Sequence, residues 1–252
     1  MTSSGDPSPA FLSSPDGRFT RVENAIVDVR EGKPIVVIDS ENTGEGDLVC
    51  AARTASTAVV SFLIRHSSGY ICVALPNVEC DRLHLPAMYA DDPSYRVSVD
   101  CNESGTGISA YDRAATMRML ADPTSNSDDF TRPGHVVPIR ASEGGVLAKA
   151  GRVEAASDIS RLAGLGAVGA LGEIVSEIDP HGMATTAELV EFAHVHGLTY
   201  VYISDLVAYR LSNDTAGFLH GAEVATAEHH LLELARVRIE ELEIEIAALK
   251  CR

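Results

Sequence analysis

The chain has 252 residues, 45% of them hydrophobic, which supports a sizeable core. A formal net charge of −16 and 5% aromatic residues without tryptophan argue against a nucleic-acid partner. No apolar run approaches the roughly 20 residues that span a bilayer, so no membrane partner is expected.

Residues 1–18 are rich in Ser, Pro and Gly and lack a basic-then-apolar leader, so a disordered lead-in is expected. Structure is expected from Phe19. Val22, Ala25, Ile26 and Val29 recur at helical spacing until Gly32, and "PIVVID" reads as a buried strand. "SENTGEGD" reads as an acidic loop, "TASTAVVSFLIRHSSG" as a helix, "YICVAL" and "YRVSVD" as strands. "GISAYDRAATMRMLAD" reads as a helix with Ser109 as N-cap and Asp112 at capping-box spacing. "TRPGHVVPIRASEGGVLAKAG" is strand-like but broken by Pro and Gly. Then come a helix in "VEAASDISRLAGL", a strand in "AVGALGEIV", a helix in "TAELVEFAHVHG", a strand in "TYVYI" and a helix in "SDLVAYRLS".

Strands and helices interleave without long linkers, so residues 19–212 are expected to form one domain of α/β or α+β type. Residues 213–252 are expected to form a helical extension, in which Leu232, Ala235, Ile239, Leu242, Ile246 and Leu249 alternate steps of three and four. A helix packed on its own domain and a coiled-coil contact are both open there. Five cysteines, an odd number without CxxC spacing, suit a reduced cytoplasmic protein.

Several residues are candidates for chemistry. Asp39, Glu41, Glu45 and Asp47 cluster after a strand, where carboxylates bind a divalent cation, act as bases or are merely solvated. His135 lies between turn residues in "RPGHVVP". Glu173 ends an apolar strand, where an unpaired carboxylate costs several kcal/mol.

Taken in order, "EGDLV", "RHSSGYICVAL", "TGISAYDRA", "LADP", "RPGHVVPIRA", "GGVL", "EAASDISRLAGL" and "ISDLVAYR" resemble the 3,4-dihydroxy-2-butanone 4-phosphate synthase family. The resemblance implies an α+β fold, a single synthase-like α/β domain, and a homodimer with active sites at its interface. It implies Mg²⁺-dependent conversion of ribulose 5-phosphate to the butanone phosphate plus formate. It also matches Asp47, His135 and Glu173 to acid, base or substrate-contacting positions, and places Thr106 in the "TGIS" substrate loop and Cys72 on a strand near the site.

The chain departs from the family at five positions. "GRVEA" stands where the family has "GHTEA", so Arg152 replaces a metal-ligating histidine and Val153 a threonine. "NTGEGD" stands for "RENEGD", which puts Thr43 in place of the other ligand and Asn42 in place of an arginine. Lys149 replaces a phosphate-gripping arginine. The expectation is therefore a site with no metal and no cofactor, with Arg152 and Lys149 as anion clamps. The substitutions favour a repurposed biosynthetic lyase or isomerase, doing metal-independent elimination, isomerisation or cyclisation beside a carbonyl of another anionic small molecule. The alternatives are an authentic synthase that uses Mg²⁺ with rearranged ligands, and a non-catalytic dimeric binding protein. A fused GTP cyclohydrolase II, present in some family members, is not expected at this length.

Overall fold

The structure, a computed structural model, describes residues 15–39, 44–89, 94–103, 105–179 and 181–213. Asn42, Thr43 and the heptad-like segment from Thr226 onward lie outside them. Helices α1 (Pro15–Arg30), α2 (Thr57–His66), α3 (Asn77–Arg82), α4 (Ala110–Leu120), α5 (Arg152–Leu162), α6 (Thr186–His196) and α7 (Ile203–Asn213) alternate with seven strands. These are β1 (Ile35–Ile38), β2 (Gly46–Ala51), β3 (Cys72–Leu75), β4 (Val99–Cys101), β5 (Phe130–Arg140), β6 (Gly169–Glu173) and β7 (Tyr200–Tyr202). They form one mixed sheet in the order β4-β5-β3-β6-β2-β1-β7, confirming the mixed α/β class.

Alternation along the strands builds two cores. Val36, Ile38, Leu48 and Cys50 face α2, α4 and α6, against Leu63, Met117 and Leu189. Ile35, Val37, Val49 and Ala51 face α1, α5 and α7, against Val22, Ile159 and Leu206. Both sheet faces are covered, so the central strands are apolar throughout, as in "IVVI". Cys50, Cys72, Cys80 and Cys101 are buried and unbridged.

Several expectations shift in detail. The first helix starts at Pro15, four residues before Phe19, so the expected lead-in does not extend through residue 18. Of the acidic loop and "EGDLV", the segment from Gly46 is already strand β2. "YRVSVD" is strand only at Val99–Cys101, while Tyr95 and Arg96 make isolated bridges. β5 runs unbroken through Pro133 and Gly134, because the pairing with β4 slips at a bulge between Val99 and Asp100. A bulge accepts a residue that donates no ladder hydrogen bond. Among the described residues no helix is long and apolar enough to cross a membrane.

Candidate active site

β2 and β6 pair in a register that sets Asp47 directly opposite Glu173. Asp47 shares the face of Val49 and Glu173 that of Leu171, the side covered by α5. Two like charges at directly opposed positions repel, so the register requires a cation. Arg152, the first residue of α5, supplies it. Its NH1 donates to Glu173 Oε1 at 2.6 Å and lies 3.2 Å from Asp47 Oδ2, while NH2 lies 3.4 Å from Glu45 Oε2.

A cation at a helix N-terminus meets the positive end of the backbone dipole, so carboxylates must hold Arg152 there. The charges act on one another. Burial raises the Asp47 carboxyl to about 7, with Glu173 and Glu45 adding to the rise and Arg152 opposing it. Burial pulls the Arg152 guanidinium down, and Asp47, Glu173 and Glu45 more than reverse that. Burial, with Asp47 and Glu173 behind it, pushes the neighbouring Cys72 thiol up to about 12. Cys72 is thus a neutral packing group rather than a nucleophile.

The second cluster forms around His135. Asp100 accepts from the His135 backbone N–H at 2.8 Å, and its other oxygen lies 2.7 Å from Nδ1. Gly107 closes over this pair with φ of +78°, and a Cβ there would lie 2.0 Å from Asp100 Oδ2 and 2.6 Å from His135 Nδ1. The loop is anchored by Asp112, whose carboxylate accepts from Gly105 and Gly107 amides at 3.1 and 3.2 Å. Ser109 caps α4 as expected, accepting from the Asp112 N–H. Gly107→Ala is expected to cost about 1–3 kcal/mol through the left-handed backbone alone. Urea unfolding would register the loss, and turnover should fall with it as the His135–Asp100 pair is pushed apart.

Register relates the two clusters. His135 precedes Val137, the β5 partner of Cys72, by two residues, and Glu173 follows Leu171, the β6 partner, by two. β5 runs parallel to β3 and β6 antiparallel, so both groups fall at one end of the sheet, about 10 Å apart at ordinary strand spacing.

Among the other expected site residues, Thr106 is exposed beside Gly107, Lys149 is exposed before α5, and Val153 is half-buried on the first turn. Sequence reasoning missed Asp100 and Gly107. It also missed Glu154, whose Oε1 accepts from the Ser142 amide and hydroxyl at 3.0 and 2.9 Å. That contact fastens the preceding loop to α5. Spacing carried no signal for Asp100, because its link to His135 depends on the β4–β5 pairing.

The 3,4-dihydroxy-2-butanone 4-phosphate synthase family profile matches residues 23–209. The chain is 50% identical over 217 residues to the riboflavin biosynthesis protein RibBA of Rhodococcus jostii, covering 83% of this chain and 51% of that protein. With RibBA of Mycobacterium tuberculosis it shares 52% over 204 residues, 78% of this chain and 48% of the relative. The chain thus spans about half the length of these relatives. Among solved structures, a 3,4-dihydroxy-2-butanone 4-phosphate synthase in complex with two magnesium ions superposes with a TM-score of 0.71 at 38% identity, covering 77% of this chain and 97% of that one. RibBX from A. baumannii, a two-domain synthase, gives 0.73 at 36%, covering 77% and 59%.

These matches correct the expectation of a site without a metal. The finding against it is the related synthase structure, 38% identical, that holds two magnesium ions. The expectation weighed only the exchanges at positions 43 and 152, whereas folding gathers Glu45, Asp47 and Glu173 on one point. Their oxygens are the hard donors that Mg²⁺ prefers. Asp47 Oδ2 is buried and faces the Arg152 guanidinium at 3.2 Å, a place that another cation can take. The donors fit the ion by chemistry, although as placed they surround a guanidinium instead of standing in a ligating arrangement.

Proposed function

The chain belongs to the 3,4-dihydroxy-2-butanone 4-phosphate synthase family, and from that premise we propose that it converts ribulose 5-phosphate to the butanone phosphate and formate. The observation that carries this reading is the convergence of Glu45, Asp47 and Glu173 at the sheet end that also holds the His135–Asp100 pair. Identity of 50% or more to riboflavin biosynthesis proteins supports it over the repurposed enzyme that the substitutions alone favour.

In this reading Glu45, Asp47 and Glu173 hold the divalent cation. When bound, the ion polarises the substrate's carbonyl and hydroxyl oxygens. Burial holds the Asp47 carboxyl near 7 in the metal-free protein, and a bound cation would keep it ionised. His135 is oriented by Asp100; when Nδ1 keeps its proton for that contact, Nε2 is the basic nitrogen. The N-terminus of α5 has no side-chain cap, and its first-turn amides with Lys149 suit the substrate phosphate. Thr106 lines the loop over the histidine. We place the catalytic unit at residues 19–212 and assign it a homodimer with the site at the interface.

His135→Asn is expected to lower kcat about a hundredfold or more. Asp100→Asn, which removes only the orienting charge, should lose less. Steady-state kinetics across pH checks both. The reading itself is tested by formate release from ribulose 5-phosphate with Mg²⁺, which EDTA should abolish.

One observation favours a second reading. Arg152 stands among the carboxylates, which suits a changed anionic substrate and chemistry such as elimination, isomerisation or cyclisation. It predicts no formate from ribulose 5-phosphate under any metal condition.

A further inference from the structure

We propose that Arg152 is a tethered counter-cation that fills the divalent-cation seat in the metal-free protein and must leave it for metal to enter. Metal occupancy is then a competition between an ion in solution and a side chain of the same molecule. The inference rests on the assignment of Glu45, Asp47 and Glu173 as the metal-holding carboxylates.

The geometry is that of an occupied but incompletely satisfied seat. One guanidinium faces three carboxylates, at 2.6, 3.2 and 3.4 Å. It makes a hydrogen bond to Glu173. Asp47 Oδ2, on a residue only 3% exposed, is met by the longer ion-pair contact at 3.2 Å. A single positive charge thus faces three carboxyl groups, where a divalent ion would bring two charges and bind oxygens directly. Both cations cannot share the point without repulsion at contact distance.

The side chain is also placed to leave. It retains 23% side-chain exposure, and its backbone at the start of α5 opposes a positive charge through the helix dipole. Only the carboxylates hold it, and they are what the ion takes over. A histidine at this position would offer a lone pair and ligate alongside them. The guanidinium has none, so its single electrostatic role is to substitute for the ion.

The test uses the full chain without substrate and Mn²⁺ as the probe. Titration followed by the EPR signal of free Mn²⁺ should show Arg152→Gln binding about tenfold or more tightly than the unmodified protein, since a repelling charge is gone. In EDTA the same variant should melt at a lower temperature, with three carboxylates unneutralised, and Mn²⁺ should restore it. On the unmodified protein, saturating Mg²⁺ should speed phenylglyoxal labelling of Arg152, read by peptide mass mapping, because the ion releases the side chain. This arm stands even if the variant fails to fold. Equal or weaker Mn²⁺ binding by a folded Arg152→Gln, or labelling that Mg²⁺ leaves unchanged or slows, overturns the proposal. Absent formate release with these results intact overturns the functional reading alone.

Discussion

Asp47→Asn is expected to lower formate release by roughly a hundredfold, because it removes a carboxylate from the centre of the divalent-cation seat. The expectation follows from where β2 puts the residue. Asp47 is 3% exposed, directly opposes Glu173, and has its carboxyl raised to about 7 by burial first and by its acidic neighbours second. The amide keeps the shape and removes the charge, so raising Mg²⁺ should recover part of the loss.

The same shift has a stability signature in EDTA. The folded carboxyl, near 7, lies above its ordinary value of 3.8. The folded state therefore holds a proton that the unfolded chain gives up between those values. The contribution is fully present below about 3.8 and is lost as pH rises through 7. Urea midpoints of the unmodified protein should fall relative to Asp47→Asn across that window. Parallel curves would refute the raised carboxyl.

Asp158→Asn is expected to destabilise the fold by about 3–5 kcal/mol, the usual consequence of stranding one partner of a buried ion pair. Asp158 and Arg210 are 2% and 3% exposed in their side chains, with NH1 2.6 Å from Oδ2. The carboxylate also accepts from the Val146 amide at 2.9 Å and pairs with Arg161. Burial raises its pKa, Arg210 and Arg161 opposing. It thereby ties α5 to α7 and to the turn at Gly145, whose Cβ would lie 2.1 Å from Asp158 Oδ1. Urea unfolding measures the loss. A double replacement, Asp158→Leu with Arg210→Met, should recover much of it, since neither charge is then left alone. A loss below about 1 kcal/mol in Asp158→Asn would show that the pair holds little.

Much of this architecture was legible in local pattern. α2, α4, α6 and β1 fall where helical spacing or a β-branched run puts them, because each buries a face on its own periodicity. α3, six residues without a pattern, gave no such signal. β2 was hidden because its strand begins with Gly46 and Asp47, which read as the end of an acidic loop. The site divides in the same way. Asp47, Glu173 and Arg152 were each visible as oddities, but their meeting depends on the β2–β6 register and on the place of α5, which are long-range facts. Alignment at two positions therefore suggested a lost metal site, while the fold retains a carboxylate cluster around the replacement.

The most direct measurement is an NMR time course of ribulose 5-phosphate with the full chain and Mg²⁺ in D₂O. Formate and a new phosphate ester appearing in equal amounts is the predicted result. Deuterium entering the substrate with no formate would contradict it, showing acid–base groups that work on a ketopentose phosphate without splitting it.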